Sequence, residues 1–265
     1  MITKEKAKLP LLLKQLNLPT MSTLWEDISR QADLEGWGSA KCLEVMCEHE
    51  ISGRTNRRMS RYFKESCLPL GKTLANFDFS VTPLNKTLVN TLASGEGWIK
   101  QGQNILIFGP SGVGKTHLAA AIGAQLLENN IRVLFVRTTE LIQKLQVSKQ
   151  ALTLASALDK LDKYDCIILD DFGYAHKDQM ETNVLFELIS ERYERKSLII
   201  TCNQLFGEWD HIFQDKAMAI AAIDRLVHDA RILQINKESY RTNSLLTKAI
   251  KNSAVSKGEP TMTTE

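Results

Sequence analysis

The segment Gly109-Pro110-Ser111-Gly112-Val113-Gly114-Lys115-Thr116 fills every fixed position of the pattern GxxxxGK[ST]. No other stretch constrains the fold as tightly, because the pattern has chemical meaning only between a strand and a helix. Both flanks fit. Ile105–Phe108 is a short apolar run, and a helix opening near Lys115 continues through Leu118-Ala119-Ala120-Ala121. Glycines let backbone N–H groups converge on phosphate oxygens with no Cβ in the way. The helix N-terminus adds a favourable dipole. Lys115 is placed to reach β- and γ-phosphates and the Thr116 hydroxyl to ligate magnesium. His117, in the first helical turn, is taken with the loop as a nucleotide contact.

A second landmark is Cys166-Ile167-Ile168-Leu169-Asp170-Asp171, an apolar strand ending in two carboxylates. Ligands of open parallel sheets sit at the carboxyl ends of the strands. Asp170 is therefore placed to hold magnesium together with Thr116. Asp171 either caps the following turn or orients water toward a γ-phosphate, and the neighbouring phosphate loop favours the second reading. The acidic pair points to a hydrolase rather than a small-molecule kinase, whose acceptor is a substrate hydroxyl. Further on, Leu198–Thr201 ends in Cys202-Asn203. Asn203 either closes a local turn or hydrogen-bonds the attacking water or the γ-phosphate.

Five short β-branched runs alternate with longer amphipathic stretches: Asn104–Phe108, Arg132–Val136, Tyr164–Leu169, Ser197–Thr201 and Arg231–Ile235. Near-continuous apolar strands separated by helices predict an α/β P-loop core over 103–245, a parallel five-stranded sheet flanked by helices. Residues 1–70 differ. Leu43, Met46, Cys47 and Ile51 recur at helical intervals with no strand-like alternation, which predicts a small all-α domain. Residues 71–102 join the two regions, and 246–265 read as a polar tail.

Thirty-three basic against thirty-one acidic residues leave a net charge of +2. Composition alone thus points to no polyanionic partner, and any such signal must be local. The longest apolar run, Ala217–Ile223, has seven residues, against about twenty for a membrane span. Lys14 ends the run Leu9–Leu13 before it reaches signal-peptide length. No membrane partner and a cytoplasmic location are expected. The five cysteines lack CxxC spacing and read as reduced thiols.

The local signal lies in the helical region. Arg54, Arg57, Arg58 and Arg61 follow the i, i+3, i+4, i+7 spacing of one helix face, Lys64 extends it, and no acid falls among them. Such a stripe is either a solvated face or a set of phosphate contacts that grips double-stranded DNA with little sequence preference.

The phosphate loop, Ile167-Ile168-Leu169-Asp170-Asp171-Phe172-Gly173, Ile199-Ile200-Thr201-Cys202-Asn203 and Asp224-Arg225-Leu226 occur in this order and at these distances. Together they resemble the AAA+ ATPases of the IstB/DnaC group. Upstream, the basic run Arg54-Thr55-Asn56-Arg57-Arg58, then Lys72-Thr73-Leu74 and Phe77-Asp78-Phe79, is similar to IstB in particular, and the likeness runs over residues 5–245. The resemblance implies an AAA+ core with ATP and magnesium as cofactors. It implies Gly109 to Thr116 as the Walker A loop, Asp170 as the magnesium carboxylate, Asp171 as the catalytic carboxylate and Asn203 as the first sensor. Many AAA+ proteins carry Glu at the position of Asp171; Asp-Asp is usual in IstB-like sequences. Arg225 becomes an arginine finger reaching the ATP of a neighbouring copy; composition alone would pair it with Asp224 or Asp229 on a helix surface. Phe77 and Phe79 fall where adenine often lies in this group, or are plain core.

Thirty residues follow Ile235, too few for the usual helical lid, so no full lid domain is expected and Arg241 is given no role. His176 and Lys177 sit on a loop that faces DNA in this reading. IstB-like proteins are ATP-binding helpers encoded beside the transposase of insertion sequences. The implied function is an ATPase that forms an ATP-linked homo-oligomer on target DNA and assists or regulates a cognate transposase. A DnaC-like helicase loader is the alternative and a small-molecule P-loop kinase the remote one.

Overall fold

Five apolar segments hydrogen-bond into one all-parallel sheet: β1 (Asn104–Phe108), β2 (Val133–Arg137), β3 (Cys166–Asp170), β4 (Ser197–Cys202) and β5 (Ala230–Gln234). Their order is β2-β3-β4-β1-β5, with β1 held between β4 and β5. The computed structural model of this chain describes residues 8–173, 178–204, 208–209 and 215–235. The expectations for His176, Lys177, Arg241, the lid and the tail fall outside these residues. Among the described residues no helix is long and apolar enough to cross a membrane.

The strands lie within one or two residues of the predicted runs, and every side chain of β1, β3 and β4 is buried. Alternate side chains take opposite faces, as the pleat requires. Leu106, Phe108, Ile167, Leu169, Leu198 and Ile200 enter one core with Leu141, Leu185, Leu188 and Trp209. The other face is covered by the helix Lys115–Glu128, which buries Leu118, Ile122 and Leu126. Helices on both faces are what a sheet with no polar side demands.

The chain divides into two compact units between Lys64 and Glu65. The stretch 71–102, which the sequence suggests is a joining segment, is folded into the second unit. Its helix Lys86–Ser94 buries Val89, Leu92 and Ala93, and it packs on the helix Lys115–Glu128. Trp98 is 4% exposed, and its indole N–H donates to the Leu92 carbonyl at 2.8 Å.

The first unit is helical: α1 (Lys8–Gln15), α2 (Pro19–Glu35) and α3 (Ser39–Ser66). α2 begins with Pro19, and its N-cap residue, Leu18, has no side-chain acceptor for the free amides of the first turn. Glu50, thirty residues beyond Thr20, supplies one. Its Oε2 accepts from the Thr20 and Met21 amides at 2.8 and 3.1 Å. Its Oε1 accepts from Arg54 Nε at 3.1 Å and Arg57 Nη2 at 3.0 Å. A carboxylate at a helix N-terminus also meets the positive end of the helix dipole. Burial pushes the Glu50 carboxyl up, but the two amides and two guanidiniums outweigh it and hold its pKa below the ordinary value.

Two results are expected. Glu50→Ala should destabilise the first unit by about 2–3 kcal/mol, because buried donors lose a charged acceptor. Hydrogen exchange of the amides of α2 measures this; unchanged protection would contradict it. Because the folded pKa is depressed, the stabilisation is complete above the unfolded value of about 4.3 and is lost as pH falls through the folded value.

Candidate functional site

The loop after β1 leaves the sheet beside the end of β4, where the Gly109 amide donates to the Cys202 carbonyl at 3.3 Å. Gly109 has φ +153°, and a Cβ there would lie 2.5 Å from the Ile235 carbonyl oxygen. Only glycine fits. Gly114 caps the helix Lys115–Glu128 with φ +101° and offers no side chain to its first-turn amides. Those amides form an anion site of the kind that phosphates occupy. Lys115, 7% exposed, folds over the loop, and its Nζ donates to the Gly109 and Pro110 carbonyls at 2.8 Å each. Loop, lysine and helix start therefore form one positively polarised cradle. Pro110, Ser111, Gly112 and Val113 complete it.

Asp170 ends β3 and is 3% exposed. Its Oδ1 accepts from the Thr116 hydroxyl at 2.9 Å and from the Thr201 hydroxyl at 2.6 Å. Its carbonyl accepts from Thr138 Oγ1 at 2.9 Å. The fold thus brings Thr116 and Asp170 together across 54 residues. A hydroxyl and a carboxylate are hard oxygen donors, which suits magnesium.

Asp171 leaves the strand in the left-handed region, with φ +56°, and its side chain is exposed. Its amide donates to Thr201 Oγ1 at 3.0 Å, and the Phe172 amide donates to the Thr201 carbonyl at 2.9 Å. Asn203 lies just beyond β4, close over the same turn. A Cβ on Gly173 would be 2.7 Å from Cys202 Sγ and 3.3 Å from Asn203 Oδ1. The ends of β3 and β4 therefore close on each other beside the cradle.

His117 faces the segment before the sheet. Its Nε2 donates to the Thr73 carbonyl at 3.2 Å, and its ring meets Phe77 edge-on at 5.4 Å. Phe77 is 8% exposed and stacks edge-on against Phe79 at 4.9 Å. Residues 73–79 thus line one side of the first helical turn.

Arg225 stands apart. It lies in the last turn of the helix Lys216–Val227, which runs down to the amino end of β5. Its guanidinium sits over the Phe186 ring at 4.9 Å, and Nη1 donates to the Ala221 carbonyl at 3.0 Å. Among the described residues it forms no ion pair with Asp224 or Asp229. It lines one hollow with Gln101, Gly102, Tyr193 and His228. Asn104 opens β1 and fixes that helix end, donating to the Leu226 carbonyl at 3.1 Å. The fold places Arg225 at the amino edge of the sheet, opposite the cradle of its own chain.

The basic stripe of the first unit is not uniform. Glu50 engages Arg54 and Arg57, and these also donate to Asn17 O and Thr20 Oγ1 at 2.9 and 2.8 Å. No acid falls within 54–64, but Glu50 precedes Arg54 by one helical turn and pairs with the first two arginines of the stripe. Both arginines remain about half exposed, at 53% and 49%. Arg58, Arg61 and Lys64 are exposed. Arg61 lies over the Tyr62 ring at 5.7 Å, and none of the three forms an ion pair among the described residues.

The family model described as IstB-like ATP binding protein matches residues 11–247. A Sinorhizobium fredii protein named as an insertion sequence ATP-binding protein is 54% identical over 245 residues, covering 92% of this chain and 82% of that protein. The crystal structure of DnaI matches with a TM-score of 0.54 at 23% identity, covering 64% of this chain and 95% of that one. The DnaC helicase loader matches with a TM-score of 0.53 at 21% identity, covering 66% and 98%. At such identities these structures show a common AAA+ fold.

Proposed function

The chain belongs to the IstB-like ATP-binding protein family, and from that premise we propose that it is a magnesium-dependent ATPase that assembles with its own copies on double-stranded DNA and assists or regulates a transposase. The observation that carries the ATPase reading is the meeting of Thr116 and Asp170 at 2.9 Å beside the loop that Lys115 spans. Thr116 and Asp170 are the residues that would hold magnesium, whose contribution is to neutralise charge on the β- and γ-phosphate oxygens. Loop amides and Lys115 bind the phosphates. Asp171 orients the attacking water and Asn203 steadies the water or the γ-phosphate. The transposase partner is supported by the insertion-sequence name of the Sinorhizobium fredii relative. A helicase-loader reading has only the shared fold behind it.

Arg225 is read as the finger that completes a neighbouring copy's site. Its place at the sheet edge opposite its own cradle, with no carboxylate partner among the described residues, supports action in trans. Turnover per chain should then rise with protein concentration, and duplex DNA should raise it further. Phosphate release measured across a dilution series tests this; constant specific activity at all concentrations, with or without DNA, contradicts it.

DNA is gripped in this reading by Arg58, Arg61 and Lys64, with Arg54 and Arg57 contributing only through their exposed edges. Reversing Arg58 and Arg61 to Glu should weaken duplex binding. The slope of log K against log salt should flatten by about 1.8, from two lost phosphate contacts. Salt-titrated anisotropy reads both quantities, and unchanged affinity and slope would remove these arginines from the interface.

A further inference from the structure

We infer that Thr201 is a positioning residue for the acidic pair: one buried hydroxyl sets the Asp170 carboxylate for the cation and holds Asp171 in the conformation it needs. The inference rests on the ATPase reading above. A threonine hydroxyl has one proton to donate and lone pairs to accept. Thr201 Oγ1 uses both, donating to Asp170 Oδ1 at 2.6 Å and accepting from the Asp171 amide at 3.0 Å.

Its surroundings make that arrangement rigid. Thr201 is 0% exposed and sits in β4, the middle strand of the sheet, paired with Ile107 of β1. Its carbonyl also accepts from the Phe172 amide. Backbone and side chain of one residue therefore hold Asp170, Asp171 and Phe172 in sequence. A left-handed aspartate persists only where its surroundings fix it, and the Thr201 hydroxyl is the acceptor for that aspartate's amide. Thr116 donates to the same Asp170 oxygen, but Thr116 is needed as a cation ligand. The lasting hold on the carboxylate thus comes from the sheet, through Thr201. The same residue lies two positions before Asn203, so β4 ties the sensor position to the acidic strand.

Partners that orient a metal ligand characteristically change metal affinity or activity 10–100-fold when removed. The test uses the full-length chain and a fluorescent ATP analogue titrated with magnesium, and with EDTA as the metal-free reference. Thr201→Val keeps shape and removes the hydroxyl. It should raise the half-saturating magnesium about tenfold, lower turnover by a similar factor and leave metal-free nucleotide affinity unchanged. Thr201→Ser, which restores the hydroxyl, should return both quantities to the wild-type range. If Thr201→Val does not fold, Thr201→Cys, with a weak donor at similar volume, should show the same magnesium shift.

A wild-type magnesium response in the hydroxyl-free variant overturns the inference. So does equal impairment in Thr201→Ser, which would mark a packing defect. A wild-type chain that gains no nucleotide affinity from magnesium overturns the ATPase reading itself, and this inference with it.

Discussion

Replacing Arg225 by alanine is expected to lower steady-state ATP turnover about 10³-fold, the lower end of what an arginine finger supplies. ATP affinity should change by less than about threefold, because the interaction is made mainly in the transition state. The structure explains why the two effects separate. Arg225 rests on the Phe186 ring and the Ala221 carbonyl, at the amino edge of the sheet. It contacts no group of its own phosphate loop. Its removal leaves Lys115, Thr116 and Asp170 in place. A mixing experiment sharpens the expectation. Chains carrying Arg225→Ala retain an intact cradle, and chains carrying Lys115→Ala retain an intact finger. Each alone should be nearly inactive, and the mixture should recover measurable phosphate release. No recovery, together with equal loss of ATP binding in both variants, would argue against a finger supplied in trans.

Lys115→Ala is expected to weaken ATP binding about 10²-fold, roughly 2.7 kcal/mol. Two losses combine. The ammonium group that would meet the β- and γ-phosphates is gone. The Gly109 and Pro110 carbonyls also lose the donor that draws the loop together, each at 2.8 Å. The loop then has to be ordered by the nucleotide itself, which costs binding free energy. Competition against a fluorescent nucleotide measures the affinity. A value within threefold of wild type would mean that the backbone amides alone bind the phosphates.

The cradle was legible because its residues are contiguous: eight positions specify turn, anion site and helix start together. The parallel sheet was legible because strands buried on both faces are apolar throughout, as Ile105–Phe108 and Cys166–Leu169 are. Strand ends shifted where polar residues extend the ladder. Arg137 and Asp170 pair with each other at the ends of β2 and β3, although neither belongs to an apolar run.

What escaped is tertiary. Thr201 reads as one more β-branched residue in an apolar strand, and its bond to Asp170 spans 31 residues. Glu50 reads as one charge on a polar helix face; its role appears only when the start of α2 is brought against it. The helix Lys86–Ser94 is short and is followed by Gly95 and Gly97, both with positive φ. In sequence that looks like a linker, while in the fold Val89, Leu92 and Trp98 bury against the sheet unit. The His117 contact with Thr73 joins residues 44 apart, and no local pattern announces it. Helix and strand period report which way a side chain faces, not which distant backbone group it meets.

The central claim is that the loop 109–116, with Thr116 and Asp170, binds magnesium–ATP. Calorimetric titration of the full-length chain with magnesium–ATP tests it most directly. Saturable heat corresponding to one nucleotide per chain, reduced when EDTA replaces magnesium, is the predicted result. No heat of association over the same range would contradict it.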